Sequence, residues 1–467
     1  MDKPKKRKEE KPVEAIFWKL EDGRIAEMLF DKNAEPKETF AIYNPANGAI
    51  DYANYFIDRS KNIFPYPNDD LILKGSVLLP TKADEYESES ELFESVRKFI
   101  HKYLGVGAAH ERLISLYVPF TWIYDCFTVL PYLRAIGDFG TGKSRYLKVI
   151  GSICYKPLTI VAAVGVAPLF RSIQRYQGTL VLDEANFKDS EVTAAIMQIL
   201  NAGYEKGSPV IRCQEKNFSK IIASQVYGPK ILSSRSKWKD HALESRCISW
   251  ESEHSDRLQK MGEDRKPEEV PLYLDESFDQ EALALRNKLL MFRFRYYGPK
   301  IIDPKRLRHP VEPRISQILL PLSNMTNDPQ ILENINQLAK EMNKQRADDR
   351  SVQIEARILQ AIHDLDEGMG RKLYFKEICE KFNADLMDGD KKMTPQSLSF
   401  YLRKPELRIP VQKKDEIGRP IICEPERMQK LYVKFGIIDD GLTTDGSDEH
   451  MRSPIELSGE PNSNDII

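Results

Sequence analysis

A chain of 467 residues with 41% hydrophobic and 30% charged residues has the composition of a soluble globular protein of two to four domains. No apolar run approaches the ~18 residues that span a bilayer, and the N-terminal stretch lacks the apolar core of a signal peptide, so a cytoplasmic protein without membrane contact is expected. The net charge of −2 hides an asymmetry: the last 32 residues, from Gly436, hold eight acidic residues and one Arg, so this tail carries −7 and the remainder +5.

Residues 1–12 form a basic arm (KPKKRK at Lys3–Lys8), which reads as a solvated tail with some likeness to a nuclear localisation signal. Residues 13–88 form a small β-rich domain, with strand-like runs Ala15–Leu20, Arg24–Phe30, Thr39–Tyr43 and Leu71–Leu79 split by turns such as Asp22-Gly23 and Asn47-Gly48. Residues 89–260 form an α/β core. Helical patterns at Leu92–Tyr103 and Ala109–Asp125 open it, and strands then alternate with helices as a parallel sheet requires. A helical region occupies 261–349, with helices expected at Gln280–Tyr297, Pro313–Met325 and Gln330–Arg346. Residues 350–435 form a compact basic module, and 436–467 an acidic disordered tail. Six cysteines lie scattered without metal-ligand spacing, which suits reduced core thiols.

The strand-like run Val129–Ile136, interrupted by Pro131 and Arg134, leads into GDFGTGKS, Gly137 to Ser144, and then into a helical pattern. This is the G-x-x-x-x-G-K-[ST] spacing of a phosphate-binding loop in its proper strand–helix context. Gly137, Asp138, Phe139, Gly140, Thr141 and Gly142 would turn backbone N–H groups toward phosphate oxygens, helped by the helix N-terminus. Lys143 would bridge the β- and γ-phosphates of ATP, and the Ser144 hydroxyl would hold Mg²⁺. Forty residues on, TLVLDE ends an apolar strand with Asp183 and Glu184. There Asp183 would hold Mg²⁺ through water and Glu184 would polarise the attacking water, which favours hydrolysis over transfer to a metabolite.

VYGPKILSS (Val226–Ser234) reads as a further central strand, with Ser233 or Ser234 placed to sense the γ-phosphate. Arg246 precedes the strand Cys247–Trp250 where a ring ATPase presents an arginine to its neighbour; a surface salt bridge is the plainer use of such a residue. Arg314 is a candidate second sensor arginine. The order PLFRSIQRYQGTLVLDEANF, NAGYEKGSPVIRC, YGPKILSS, DHALESRCI resembles the AAA+ module of helicases and primase–helicases of phages, plasmids and mobile elements, in particular the MCM-like helicases of staphylococcal cassette elements. The likeness covers roughly residues 110 to 330. It implies a homohexameric ring that hydrolyses ATP between subunits and draws one DNA strand through its centre. Single-stranded or forked DNA would be the partner, with a primase or initiator protein as a further one. The segment Gln174–Asp183 is too short for the long insertion of cellular MCM proteins, and neither a zinc ribbon nor a primase site is evident.

Two segments would meet DNA. Tyr204–Ala223 reads as a β-hairpin turning at Lys206-Gly207-Ser208-Pro209; the resemblance implies that it projects into the pore, with Lys206 at its tip and Arg212, Lys216 and Lys220 behind. Ordinary surface lysines on a solvated hairpin are the alternative. The basic module reads helix, helix, helix (Gln353–Asp366, Tyr374–Phe382, Pro395–Arg403), then a ribbon of Ile409–Lys414 and Pro420–Cys423, the order of a winged helix. Lys413, Lys414 and Arg419 would meet the DNA backbone from its wing. A DNA-binding ATPase that acts as initiator, loader or regulator without unwinding is the rival reading, and a protein remodeller or metabolite kinase fits less of the pattern.

Overall fold

The computed structural model describes residues 12–67, 70–161, 165–183, 191–214, 217–238, 240–252, 257, 266, 269–351, 354–366, 372–384 and 392–438. The chain divides into two compact units, 1–341 and 342–467.

The first unit begins with seven short strands: β1 (Val13–Ala15), β2 (Phe17–Lys19), β3 (Ile25–Phe30), β4 (Glu38–Tyr43), β5 (Ile50–Ala53), β6 (Phe56–Asp58) and β7 (Lys61–Pro65). They form an antiparallel sheet in the order β2-β3-β4-β5 and a three-stranded sheet in the order β1-β7-β6. Both expected turns are present: Gly23 and Gly48 take left-handed backbone, and the Asp22 carboxylate accepts the Arg24 N–H. The run Leu71–Leu79 is not a strand. Asp70–Leu73 is one helical turn, α1, and of the rest Val77 makes an isolated bridge to Leu158. Five leucine or isoleucine residues among nine suited either period, so periodicity alone did not decide it.

Helices α2 (Glu89–Tyr103) and α3 (Ala108–Trp122) follow. Ser88 caps α2 by accepting the Glu91 N–H. The core then alternates β8 (Tyr132–Ile136), α4 (Lys143–Gly151), β9 (Leu158–Val161), α5 (Val166–Tyr176), β10 (Leu180–Asp183) and α6 (Glu191–Ala202). A hairpin of β11 (Val210–Gln214) and β12 (Asn217–Ser224) precedes β13 (Lys230–Ser234), α7 (His241–Glu244) and β14 (Cys247–Glu251). Five of these strands form one parallel sheet in the order β14-β8-β13-β10-β9. Leu133, Ala135, Ile231 and Leu232 are wholly buried, as the near-continuous apolar strands of a sheet covered on both faces require.

Arg134, the apparent interruption of β8, is absorbed rather than exposed. Its guanidinium pairs with the Glu244 carboxylate, and both Nε and one terminal nitrogen donate to Ser249 Oγ. Helices α8 (Glu276–Tyr296), α9 (Pro313–Ser323) and α10 (Pro329–Ser351) follow, and the last ten residues of α10 already belong to the second unit.

The second unit runs α11 (Ile354–Asp366), β15 (Lys372–Tyr374), α12 (Phe375–Ala384), α13 (Pro395–Arg403), β16 (Pro420–Ile422) and α14 (Pro425–Lys434) around a core of Ile358, Ile362, Leu373, Ile378, Leu398 and Ile421. The three expected helices are there, and Thr394 caps α13 by accepting the Ser397 N–H. The expected ribbon differs. Pro420–Ile422 pairs antiparallel with β15, whereas Ile409–Lys414 contributes one bridge, Val411 to Ile421. Only Leu373 of β15 is fully buried, a signal too short to read as a strand.

Candidate nucleotide site

Sheet order builds the site. β13 lies between β8, which leads into the phosphate-loop motif, and β10, which ends in Asp183, and all three run parallel. Three C-terminal strand ends therefore meet at one edge. The Asp183 carboxylate accepts the Ser144 hydroxyl at Oδ2 and the Ser233 hydroxyl at Oδ1, each at 2.7 Å. The sequence offered Ser233 or Ser234; the structure brings Ser233 to Asp183. Glu184 lies outside the described residues.

The loop itself is shaped for a bound anion. Gly140 and Gly142 have φ of 75° and 90°, where a side chain is strained. Gly137 has no room for one: an added Cβ would lie 2.8 Å from Thr141 Oγ1 and 2.9 Å from the Ser252 carbonyl. Gly142 caps α4, so the first N–H groups of that helix, at Lys143 and Ser144, open toward the loop. Lys143 Nζ donates to the Asp138 carbonyl, within the loop, and Thr141 Oγ1 donates to the same oxygen at 2.9 Å. Phe139 is exposed, with the Arg235 guanidinium 3.8 Å from its ring centre. These groups fit Mg–ATP: a cation, backbone donors, a hydroxyl and a carboxylate converge where glycines leave space. Behind the loop, Arg145 of α4 donates to the Pro271 and Leu272 carbonyls, anchoring that helix to the segment before α8.

Arg246 and Arg314 meet at the other edge. Cys247 pairs with Tyr132, the first residue of β8, so Arg246 stands at the opposite end of the sheet from the loop that follows Ile136. Arg246 is 8% exposed and donates to Asn201 Oδ1 at 2.5 Å. Its guanidinium lies 4.3 Å from the ring centre of Tyr204, and that of Arg314 lies 4.8 Å from the same ring. Arg314 also donates to Gln317 at 2.8 Å.

The hairpin turns later than its composition suggests. β11 and β12 pair from Val210–Ser224 to Gln214–Asn217, so Lys206 is at the base and not the tip. There its N–H donates to the Thr128 carbonyl and its Nζ to the Asp125 carbonyl, both at 2.9 Å. Gly207 does take a left-handed turn, but it leads into β11 rather than joining the two arms. The Arg212 guanidinium packs 3.7 Å from the Phe170 ring centre, on the body side of the hairpin, while Ile211 and Ile221 are exposed. Lys216 lies outside the described residues, and for Lys220 only the strand is described. In the second unit Lys413, Lys414 and Arg419 are all exposed.

No family model and no curated protein matches this chain. Among solved structures it is similar to the NrS-1 C-terminal region in its apo A form, at 12% identity and a TM-score of 0.38, over 85% of this chain and 95% of that one. It is also similar to an SCCmec type IV Cch described as an active helicase, at 9% identity and a TM-score of 0.39, over 90% of this chain and 80% of that one. Likeness of this degree carries no functional conclusion, which rests on the site.

Three participants had no signal in the sequence. Ser252 donates to the Thr141 carbonyl and walls the loop from the end of β14. Asn201 and Tyr204 hold Arg246 from the end of α6. Each is an ordinary polar residue whose partner is set only by the tertiary fold.

Proposed function

We propose that this chain is an ATP-dependent DNA helicase, an AAA+ motor that moves on single-stranded DNA as a homohexamer during replication of a phage or mobile element. The Ser144–Asp183–Ser233 hydrogen-bond chain beneath a glycine-shaped loop is the observation that carries the reading. Bound Mg–ATP would supply the phosphoanhydride and the cation that polarises it. Asp183 holds the Ser144 hydroxyl in place for that cation, and Ser233 fixes the second carboxylate oxygen, so the carboxylate is oriented before any ligand arrives. Lys143 exchanges the Asp138 carbonyl for phosphate oxygens. Glu184, directly after Asp183, takes the role of orienting water.

Arg246 and Arg314 stand at the edge of the sheet remote from their own loop, which supports a role toward the neighbouring subunit's nucleotide, where a guanidinium offsets the charge developing on the γ-phosphate oxygens. Lys413, Lys414 and Arg419 would hold the DNA backbone from the winged-helix module, in a salt-dependent and sequence-independent way. Of the hairpin residues Lys216 is assigned to the DNA strand, since Arg212 packs on Phe170 and Lys206 is tied to the Asp125 carbonyl at the base. The test is ATP turnover with and without single-stranded DNA. Wild type turns over faster with DNA, Lys143→Ala does not turn over, and Arg246→Ala regains part of the rate when mixed with Lys143→Ala subunits. Absence of DNA stimulation would overturn the reading, and absence of complementation would remove the shared site.

A further inference from the structure

A cavity of about 500 Å³ lies within the first unit, between the N-terminal strands and the end of α5, on residues that the nucleotide site does not use. Its size suits one nucleotide. Aromatic residues are among those that line it. Trp18 on β2 is fixed by its Nε1–H donating to Asp58 Oδ2 at 2.9 Å. Tyr66 follows β7, and its N–H donates to the Ala15 carbonyl at 3.0 Å, so strand pairing sets where the ring stands. Arg175 of α5 lays its guanidinium 4.4 Å from the centre of that ring.

The floor is polar yet balanced. Lys156 and Arg293 line it, 2% and 0% exposed, but Glu27 pairs with both, at 2.8 and 2.5 Å, and Asp125 pairs with Arg293 at 2.8 Å. Two buried cations already matched by two carboxylates leave no charge for a phosphate at depth. Such a floor receives a neutral group rich in hydrogen-bonding edges. Charge and amides sit instead near the rim, with Arg175, Gln174 and Gln177 from the end of α5. Glu14 also lines the cavity and repels phosphate, which leaves the Arg175 side for it.

We propose that this cavity is a base-binding slot for single-stranded DNA: one base enters between Trp18 and Tyr66 with its edge toward the floor, and its phosphates stay outside beside Arg175. Stacking on aromatic faces with the backbone on cations is the physics of sequence-tolerant single-strand binding. The slot would give the chain a hold on the strand separate from the hairpin and the second unit, and it rests on the DNA-acting reading above.

The test uses the full chain and a thymidine oligonucleotide carrying 5-iodouracil. Irradiation and peptide mapping are expected to place an adduct on Trp18 or Tyr66, and Tyr66→Leu weakens oligonucleotide affinity about tenfold, the loss of one stacked base, with DNA-free ATP turnover unchanged. Free thymidine monophosphate protects poorly, because it lacks the neighbouring nucleotides that hold the base in place. Adducts only elsewhere, or an unchanged affinity in Tyr66→Leu, overturn the slot while leaving the helicase reading intact. Full protection by the monophosphate at equal base concentration assigns the cavity to free nucleotides and also overturns it. A wild-type chain that binds no DNA overturns both.

Discussion

Asp183 receives two hydroxyl donors, and each fixes one oxygen. Removing Ser233 leaves the Ser144 contact and withdraws the hydroxyl that donates to Oδ1. Ser233→Ala is therefore expected to lower kcat for ATP about tenfold while KM changes less than about threefold, by steady-state kinetics. A matching rise in KM would make Ser233 a binding group instead. A second residue reports on the fold behind the loop. His110 lies beside Tyr146 of α4, 2.9 Å from its hydroxyl, and its ring also faces Trp250. Burial pushes its pKa down from 6.5 to about 4. The folded protein thus keeps the ring neutral while the unfolded chain protonates it below about 6.5. That contribution to stability is present above pH 6.5 and is lost as pH falls through 4. His110→Gln should show a smaller fall in Tm between pH 7 and 4.5 than wild type; an equal fall would remove the histidine from this account. The loop motif and Asp183 were legible because phosphate chemistry demands fixed residue types at fixed spacing. Ser252 and Asn201 were not, because a single polar side chain carries no spacing and its partner lies far away in sequence.

At the scale of elements, the hairpin shows why turn composition misleads. Lys206-Gly207-Ser208-Pro209 has the residues of a hairpin tip, yet the arms that follow pair with each other and not across it. The chain uses that glycine to leave the Thr128–Val129 segment, to which Glu205 and Lys206 are tied. What holds the hairpin to the core is Lys230, a lysine in a central strand. Its amine is wholly buried and donates to the Gly203, Val226 and Gly228 carbonyls at 3.2, 3.1 and 2.7 Å. Three residues along the same strand stands Ser233, so one rigid element links the hairpin base to the Asp183 site. Lys230→Met would take the amine from the Val226 and Gly228 carbonyls and leave the Gly203 carbonyl only the Gly228 N–H. Amide exchange in β11 and β12 is expected to rise at least tenfold while α4 keeps its protection. Unchanged exchange in the hairpin would mean that the strand pairing alone holds it. The helices were read closely because their apolar faces recur over two or more turns. β15 escaped notice because three residues give no period, and it took the place of Ile409–Lys414 as the partner of β16.

Across the molecule, the N-terminal strands belong to the first unit through a buried ionic cluster. Glu27 of β3, 1% exposed, pairs with Lys156 after α4 and with Arg293 of α8, and the Tyr155 hydroxyl donates to it at 2.8 Å. Breaking such a cluster on one side leaves a buried charge uncompensated, at a cost of about 3–5 kcal/mol. Glu27→Gln should lower the Tm of the first unit by several degrees in calorimetry; a change of less than about one degree would show that water reaches the cluster. The sequence placed a β-rich segment here but gave no hint of this link, since it joins residues up to 266 positions apart. The cluster also ties the strands that line the proposed base slot to the segment before β9 and to α8. Strand displacement on a forked DNA duplex with ATP is the decisive measurement for the proposed motor, with Lys143→Ala and Glu184→Gln as controls. Wild type is expected to displace the strand, and neither variant to do so. ATP turnover raised by DNA without any displacement by wild type would contradict this expectation and leave a DNA-responsive switch in place of a motor.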